Sequence, residues 1–326
     1  MKLVVPMAGS QDLQDQTFSQ PKTVIEIAGK PLIAHLIQKL TDLPIKKAVF
    51  IVDKERPNLR KQLQKEFNFE CVFIKQVEKK GPAHAVLGAK NHIKPKEDIL
   101  ILFADTLIEF DPKHVTKCKT DGIVFTKTVS NPTRYGVAFI NDNKITRLIE
   151  KPEIPSSDKA LVGMYYFKKS KTIFESIQHI VNNEIKTKGF YHITDAIQVM
   201  VNNEYTITPQ EVNYWNNCDT SQNLLEANKY LLKENNKQPN DTTTNVYIPP
   251  VHIDHTCEIK NCVIGPNVTV GKKTTITESR IKNTIIGRQS TIDGTVLNQS
   301  VIGRFTEVKS KTNKLTIGDY SEIEYS

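Results

Sequence analysis

The amino-acid sequence predicts an α/β domain followed by a parallel β-helix. Before the polar segment that begins at Lys233, short apolar runs alternate with amphipathic stretches, which is the rhythm of an α/β fold. The polar segment itself has almost no large apolar residue and indicates a linker. Beyond it, aliphatic residues recur at six-residue steps, which is typical of a hexapeptide β-helix. We therefore expect an α/β domain over 1–232, a linker over 233–247 and a β-helix over 248–326.

Four buried strands and three helices are predicted in the first half of the α/β domain. The expected strands are 2–7, 48–52, 71–74 and 99–103, and the expected helices are 31–40, 58–67 and 83–92. In open α/β sheets, ligands bind at the carboxyl ends of the strands. Gly9 and Asp105 follow the first and fourth strands, so this edge of the sheet is the first indication of a site.

The second half of the domain is richer in strands. We expect strands over 123–129, 137–140, 145–149 and 163–167, and helices over 172–182, 194–203 and 221–232. In the β-helix region, the segment Asn261–Gly265 recurs at 283–287 and 299–303. The two spacings between the glycines of these segments differ, one longer and one shorter than three six-residue sides, which predicts imperfect coils.

Composition excludes several classes of protein. Lysine and arginine number 44 against 36 acidic residues, a formal charge of +8, but the lysines are scattered and no aromatic residues interleave with them, so we expect no nucleic-acid partner. Apolar runs such as 99–104 fall far short of the roughly 20 residues that span a bilayer. With no signal peptide recognised, we expect a cytoplasmic protein without a membrane partner. The five cysteines fit reduced thiols, and the charge suits small phosphorylated anions.

Five segments carry residues suited to phosphate, sugar and metal chemistry, and they occur in a characteristic order. They are Pro21-Lys22 with Ala28-Gly29-Lys30-Pro31-Leu32-Ile33, Gln76 with Gly81-Pro82-Ala83-His84-Ala85, Phe103-Ala104-Asp105-Thr106, Arg134-Tyr135-Gly136-Val137 with Ile149-Glu150-Lys151-Pro152, and Gly189-Phe190-Tyr191-His192-Ile193-Thr194-Asp195-Ala196. Together they resemble the sugar-1-phosphate nucleotidylyltransferases, the NDP-sugar pyrophosphorylases. The whole chain resembles long, glucose-1-phosphate thymidylyltransferase-like members, in which a left-handed β-helix follows a Rossmann-like nucleotide-diphospho-sugar transferase domain.

The resemblance implies a reaction of NTP with sugar 1-phosphate that gives an NDP-sugar and pyrophosphate, with Mg²⁺ as cofactor. Two anions must meet in this reaction, so positioning and charge neutralisation carry most of the catalysis. By resemblance, the catalytic residues are Lys22 on the triphosphate, Asp105 on the metal and Lys151 on the sugar phosphate. Taken singly, each has a simpler role, as a surface lysine or a helix cap; their joint order favours the site.

Further binding residues follow from the same resemblance. The nucleotide is assigned to Ala8, Gly9, Gln76 and Gly81, the sugar to Gly136, Glu150, Lys151 and Thr194, and the metal to Asp105 and Asn217.

Two departures from the family pattern motivate an alternative function. The glycine-rich loop with its arginine is replaced here by 8–17, which keeps only the first glycine and adds Asp12 and Asp15. Asn217 stands where the family has its second metal aspartate, with Asp219 two residues further on. The alternative is a catalytically impaired homologue that binds an NDP-sugar and regulates an active paralogue. A second activity, acyl transfer by the β-helix, is less favoured than bracing or oligomerisation, so we expect a homo-oligomer.

Overall fold

The structure is a computed structural model. It describes residues 1–7, 24–53, 57–154, 156–234, 239 and 244–310. The chain divides into two compact units. The first comprises Met1–Ile25 and Lys30–Ala227, and the second comprises Glu26–Gly29 and Asn228–Ser326. A short turn from near the N-terminus therefore belongs to the second unit.

The α/β alternation predicted from the sequence is confirmed. The strands before residue 218 are β1 Lys2–Pro6, β2 Glu26–Ile27, β3 Lys30–Pro31, β4 Lys47–Val52, β5 Glu70–Lys75, β6 Ile99–Leu102, β7 Thr106–Glu109, β8 Gly122–Thr128, β9 Val137–Asn141, β10 Lys144–Ile149, β11 Lys159–Phe167, β12 Ile207–Glu211 and β13 Tyr214–Asn217. The helices are α1 Leu32–Gln38, α2 Pro57–Glu66, α3 Pro82–Leu87, α4 Lys113–Thr116, α5 Ser170–Asn182, α6 Ile193–Asn202 and α7 Ser221–Lys233.

The first unit is built on a nine-stranded mixed sheet. Its path runs β10-β9-β11-β6-β1-β4-β5, and β8 pairs with both β11 and β12. Strands β6, β1, β4 and β5 are mutually parallel, whereas β11 is antiparallel to β6 and β8. In strand β1, the consecutive apolar residues Leu3, Val4 and Val5 are fully buried, because both faces of the strand are covered. Asp105 follows β6 at the carboxyl edge of this parallel group.

Helices α5 and α6 bury one face against the core. In α5, Ile173, Ile177 and Ile180 recur at helical spacing and are fully buried. Burying a side chain of this size contributes about 1.5–3 kcal/mol. In the described part of the chain, no helix combines the length and hydropathy needed to cross a bilayer. All five cysteines lie in described ranges and none forms a disulfide.

Some elements differ from the sequence-based predictions. Strands β2, β3, β7, β12 and β13 and helix α4 were not predicted. Each has at most five residues, which is too short for a periodicity to be recognised. The helix predicted over 83–92 is α3 followed by a separate 3-10 turn, Lys90–His92. Gly88 stands at the C-cap of α3, and a glycine there favours the end of a helix over its continuation.

The second unit is a β-helix with three faces. Its strands after residue 244 are β14 Asn245–Tyr247, β15 Val251–Ile253, β16 Glu258–Lys260, β17 Cys262–Ile264, β18 Val268–Val270, β19 Thr275–Thr277, β20 Arg280–Lys282, β21 Ile285–Ile286, β22 Thr291–Asp293, β23 Val296–Asn298, β24 Val301–Ile302 and β25 Glu307–Lys309. They form three parallel sheets of four strands each, β14-β17-β20-β23, β15-β18-β21-β24 and β16-β19-β22-β25.

The coils of the β-helix are more regular than the glycine spacings predicted. Asn245 pairs with Cys262 on one sheet and Thr291 pairs with Glu307 on another, so the steps between successive coils differ by a single position. The first copy of the repeated segment lies on β17, but the other two lie on β21 and β24 of the next sheet. The longer glycine spacing therefore spans one coil plus one side. Each coil step is still shorter than three six-residue sides, so the coils are imperfect as predicted, but less so than the glycine spacings indicated.

A buried asparagine explains why the turn Glu26–Gly29 belongs to the second unit. Asn228 is fully buried. Its Oδ1 accepts hydrogen bonds from the Ala28 backbone N–H at 3.1 Å and from the Thr269 hydroxyl at 2.6 Å, and its Nδ2 donates to the Asn267 carbonyl at 3.2 Å. The Ala28 N–H also reaches the Thr269 hydroxyl at 3.0 Å. This network satisfies the polar groups of the turn inside the unit.

Candidate functional site

Among the described residues, Gln76 and Asp105 follow the parallel strands β5 and β6, at the carboxyl edge of the sheet. Ala8, Gly9 and Lys22 lie outside the described residues, and so does the rest of the predicted phosphate loop. The described site residues form three groups: the segment after β5, the pair β7–β13, and the segments that meet between β10 and α6.

Gln76 and Gly81 lie on the segment between β5 and α3. The Gln76 backbone N–H donates to the Val52 carbonyl at 2.8 Å, while its side-chain Oε1 is buried and has no donor among the described residues. Gly81 has φ +115, and a Cβ there would lie 2.5 Å from the Tyr191 carbonyl oxygen. That carbonyl accepts a hydrogen bond from the Ala83 N–H at 3.0 Å. The position therefore requires glycine, because the backbone passes directly beside Tyr191.

Asp105 and Asn217 are brought together by the pairing of β7 with β13. Asn217 lies opposite Thr106 in the register, and the Cys218 N–H donates to the Asp105 carbonyl at 2.8 Å. Trp215 Nε1 donates to the Thr106 hydroxyl at 2.8 Å, which fixes the pair from the other strand. Two segments that are distant in sequence thus bring their oxygen-bearing residues to one place.

Asp219, the sequence-based alternative for the second metal carboxylate, is engaged elsewhere. Its Oδ2 accepts from Arg134 Nη2 at 2.6 Å, and its Oδ1 accepts from Asn223 Nδ2 at 2.9 Å. Burial, and then the nearby Asp219 charge, raise the pKa of Tyr135. Tyr135 hydrogen-bonds with Asn217 and packs edge-on against Trp215 at 4.7 Å between ring centroids. These contacts connect the Arg134 segment to the Asn217 strand.

The donor set at Asp105 and Asn217 suits a hard cation that arrives with a phosphate ligand. One carboxylate and one amide oxygen are too few for an all-protein cage, and the described residues contain no group of three His, Cys, Asp or Glu side chains suited to a metal. Mg²⁺ usually keeps several waters and binds through one or two carboxylates plus substrate phosphates. The residues present therefore fit this cation in its nucleotide complex.

Glu150, Thr194 and Gly136 converge where β9, β10 and α6 meet. The Thr194 hydroxyl donates to Glu150 Oε2 at 2.6 Å, and His192 Nδ1 lies 3.4 Å from Oε1. A Cβ at Gly136 would lie 2.9 Å from Glu150 Oε2 and 3.1 Å from the Thr194 hydroxyl oxygen. The carboxylate is thus held in one orientation, with accepting capacity left for further donors.

Lys151 is placed by its backbone. Its N–H donates to the Tyr135 carbonyl at 3.1 Å, and its φ of +43 turns the chain sharply after Glu150. The residue is exposed. Glu150 and Lys151 therefore differ in surroundings within a single short segment, one packed and one open to solvent.

A cavity of about 500 Å³ lies next to Glu150, bounded by β10, α6 and Thr187. Asp195 lines it, and its Oδ1 accepts from the Thr187 hydroxyl at 3.0 Å, while Oδ2 is buried without a donor among the described residues. Burial raises the pKa of the Asp195 carboxyl, against the lowering effect of the Thr187 hydrogen bond. Sequence reasoning gave no role to Asp195 or to His192; their adjacency to Thr194 was the available signal.

Comparison with known proteins follows the same division of the chain. The family model described as "Nucleotidyl transferase" matches residues 9–234, and the one described as "GMPPB C-terminal domain" matches residues 247–322.

Curated relatives match about two thirds or more of the chain. A bifunctional protein GlmU of Methanocaldococcus jannaschii is 33% identical over 238 residues, which is 72% of this chain and 55% of the relative. A UTP--glucose-1-phosphate uridylyltransferase, AglF of Haloferax volcanii, is 30% identical over 224 residues, 66% of this chain and 89% of the relative. The chain thus spans about half the length of the GlmU relatives it matches.

Solved structures share the fold. A Bacillus anthracis protein described as a putative glucose-1-phosphate thymidylyltransferase, solved with sucrose, aligns with a TM-score of 0.61 at 23% identity, covering 74% of this chain and 98% of the other. The inositol-1-phosphate CTP transferase of T. maritima aligns with a TM-score of 0.60 at 14% identity, covering 73% and 98%. Since the nucleotidyl transferase model matches more than half of the chain, and the GlmU relative is 33% identical over 72% of it, the chain belongs to the nucleotidyl transferase family.

Proposed function

We propose that the protein is a sugar-1-phosphate nucleotidylyltransferase. A phosphate oxygen of the sugar 1-phosphate attacks the α-phosphorus of an NTP, the bond from that phosphorus to the bridging oxygen breaks, and pyrophosphate leaves. The observation that carries the proposal is the convergence of Glu150, Thr194 and Gly136. A carboxylate held rigidly by a hydroxyl, beside a residue without a side chain, is suited to accept hydrogen bonds from two sugar hydroxyls.

Lysines supply the positive charge that this reaction needs. Lys151, exposed beside Glu150, is proposed to bind the phosphate of the sugar, and Lys22 the triphosphate, with Ala8 and Gly9 contributing backbone to the nucleotide. Lysine suits this task because its ammonium group is a mobile point charge with three donors. No protein nucleophile is needed, since the sugar phosphate is itself the nucleophile.

On the nucleotide side, we assign the base to Gln76 and Gly81. The buried Oε1 of Gln76 has no donor among the described residues, so a base N–H would satisfy it. Gly81 lets the backbone pass close to the base, because no Cβ intervenes. Both residues lie after β5, at the carboxyl edge where α/β sheets bind ligands.

Asp105 and Asn217 are proposed to hold Mg²⁺, which neutralises phosphate charge when bound. The protein's own contribution is positional. The β7–β13 register keeps the two residues adjacent, and Trp215 holds that register through Thr106.

The test is turnover by the purified full-length chain. Each of the common NTPs is incubated with a panel of sugar 1-phosphates and Mg²⁺, and pyrophosphate release is followed. We expect release with one preferred pair, and a fall of at least about 100-fold in Asp105→Asn and Glu150→Gln. The exposed acids Asp142 and Glu153 provide matched controls, Asp142→Asn and Glu153→Gln, which should keep full activity. No release with any pair would contradict the proposal.

A second candidate is a regulatory subunit that binds an NDP-sugar and modulates an active paralogue. The favouring observation is that Asn217 brings no charge to the metal position, while Asp219 is engaged by Arg134 and Asn223. If the protein is such a subunit, an NDP-sugar should raise its melting temperature, and no turnover should be detected. In the Glu150→Gln variant, the NDP-sugar should no longer raise the melting temperature. Full activity of the chain alone would exclude this candidate.

The β-helix is proposed to brace the protein or join copies of it rather than to catalyse. Sedimentation of the purified chain measures this directly. We expect a homo-oligomer, and a monomer over the accessible concentration range would contradict that expectation.

A further inference from the structure

The β-helix carries a stack of cations at one corner. Lys272, Arg288 and Arg304 each stand two residues after β18, β21 and β24, whose registers pair Val270 with Ile286 and Ile286 with Ile302. The Gln289 N–H donates to the Lys272 carbonyl at 2.8 Å, and the Phe305 N–H donates to the Arg288 carbonyl at 3.1 Å. The three cations therefore occupy equivalent positions on successive coils. We call Lys272, Arg288 and Arg304 the basic corner.

Like charges are concentrated there at short range. Successive coils lie about 4.8 Å apart, so the basic corner spans about 10 Å. Burial lowers the pKa of Arg304, and the charge of Arg288 lowers it further. Carboxylates lie near the two end cations: the charge of Glu26 raises the pKa of Arg304, and Lys272 is among the charges that lower the pKa of Asp254.

The middle cation, Arg288, has a buried donor without a partner among the described residues. In the described ranges it has no ion pair with a carboxylate, and its Nε is buried without an acceptor. A buried unpaired donor costs free energy, and the cost is higher for a charged group. A bound anion would offset the repulsion between the neighbouring guanidinium groups.

Phe305 holds the two guanidinium groups in place. Their Cζ atoms lie over its ring, at 5.8 Å from the ring centroid for Arg288 and 5.5 Å for Arg304. The ring is 61% exposed, at a corner position where the two preceding coils carry the polar residues Lys273 and Gln289. Guanidinium groups stack on aromatic faces. The ring therefore orients both arginines while exposing apolar surface where the other coils expose polar side chains.

We propose that the basic corner binds the phosphate group of a small anion. Arginine forks form paired, charge-assisted hydrogen bonds with phosphate oxygens, and lysine adds a point charge. A span of about 10 Å suits a mono- or diphosphate rather than a long polyanion. This site lies wholly within the second unit and is independent of the proposed transfer reaction.

The experiment observes the arginine side chains in the full-length chain labelled with [¹⁵N]arginine. The sequence has seven arginines, so seven Nε–Hε resonances are followed and assigned by substitution. Sodium pyrophosphate, inorganic phosphate and glucose 1-phosphate are titrated separately, with sodium chloride at matched ionic strength. If only the inorganic anions bind, the ligand is a free phosphate. If glucose 1-phosphate binds with the same affinity as the inorganic anions, the ligand is a phosphate ester.

We expect the Arg288 and Arg304 resonances to shift along one saturable curve, and not to shift in chloride. Arg280 lies on β20 with an exposed side chain, so its resonance serves as the unmoved reference. Arg134 reports separately on any pyrophosphate bound in the first unit. Arg288→Gln should weaken the binding seen at Arg304 by at least fivefold, and Arg280→Gln should leave it unchanged.

Three outcomes would overturn the proposal. In the first, the Arg288 and Arg304 resonances follow ionic strength alone. In the second, the Arg288→Gln variant binds the anion as tightly as the wild type. Arg288→Lys keeps the positive charge but removes the paired donors of the guanidinium group. This variant replaces Arg288→Gln in the test if the glutamine variant does not fold. We expect the lysine variant to bind more weakly than the wild type, and equal affinity would also overturn the proposal.

Discussion

The hydroxyl of Thr194 donates a 2.6 Å hydrogen bond to Glu150, joining the first turn of α6 to the residue that follows β10. The two residues are 44 positions apart in sequence. Gly136 lies against both side-chain oxygens, so this contact defines the orientation of the carboxylate in the proposed sugar site.

Removal of the Thr194 hydroxyl should weaken use of the sugar phosphate. Thr194→Val keeps the shape of the side chain but leaves Glu150 without its donor. Hydrogen bonds to charged groups contribute about 1.5–3 kcal/mol, which corresponds to about 10- to 100-fold in kcat/KM for the sugar 1-phosphate. Steady-state kinetics measures this, and Thr194→Ser should stay within about threefold of wild type. Equal kinetics for Thr194→Val would show that the contact plays no part in substrate use.

A carboxylate at position 217 should strengthen metal binding. Asn217→Asp places a second charge beside Asp105, and we expect the half-saturating Mg²⁺ concentration, read from the melting temperature with nucleotide present, to fall by about tenfold. Without metal, repulsion between the two carboxylates should lower the melting temperature. The exposed Asn213→Asp adds the same charge away from the metal position and should change neither value. An unaltered Mg²⁺ titration in Asn217→Asp would contradict the assignment of Asn217 to the metal.

Alanine substitutions at two glycines can distinguish the free-energy cost of steric contact from that of backbone strain. Gly81 and Gly189 both have positive φ, +115 and +84, but a Cβ on Gly81 would meet Tyr191 backbone atoms at 2.5 and 2.7 Å, whereas one on Gly189 has nothing within 4 Å. We expect Gly189→Ala to lower the free energy of unfolding by about 1–2 kcal/mol. Gly81→Ala should cost about 3–5 kcal/mol, because the contact adds to the strain. Urea denaturation measures both, and equal losses would refute the steric explanation.

The Asp195 carboxyl should make the protein less stable as pH rises. Burial raises its pKa in the folded state, so the folded protein binds this proton more tightly than the unfolded chain, and stability falls as pH rises through the folded pKa. Asp195→Asn removes this penalty while keeping an acceptor for Thr187. We therefore expect the variant to be the more stable protein at about pH 7 to 8, and the difference to shrink toward about pH 4. Urea titrations across that range test the sign, and a difference that grows as pH falls would be the opposite result.

Much of the first unit follows from local pattern. The continuous apolar run of β1 and the helical spacing of Ile173, Ile177 and Ile180 in α5 are periodicities within a few residues, and the structure confirms both elements. Short polar strands are harder to predict. Strand β13, with the sequence Tyr-Trp-Asn-Asn, becomes a strand because β7 lies beside it, and no periodicity within so short a segment encodes that partner.

The β-helix shows the same limit at another scale. The buried aliphatics Ile264, Val270 and Ile276 occupy the three faces of one coil, as the six-residue step predicts. The glycine spacing does not reveal the face on which each repeated segment lies. The segment looks the same on any face, so the longer spacing fits either one long coil or one coil plus one side.

By itself, the sequence determined the order of the longer strands and helices, the three-sided coils and the chemical types present at the site, because these depend on spacings within one turn, one strand or one coil. The tertiary structure alone decided which distant residues meet. It placed Asn217 beside Asp105, paired Asp219 with Arg134, and assigned Ala28 to the unit of Asn228. The physical reason is that these contacts join polar groups from distant parts of the chain, as in the buried hydrogen bond of Ala28 with Asn228, and such pairing is settled only when the whole core packs.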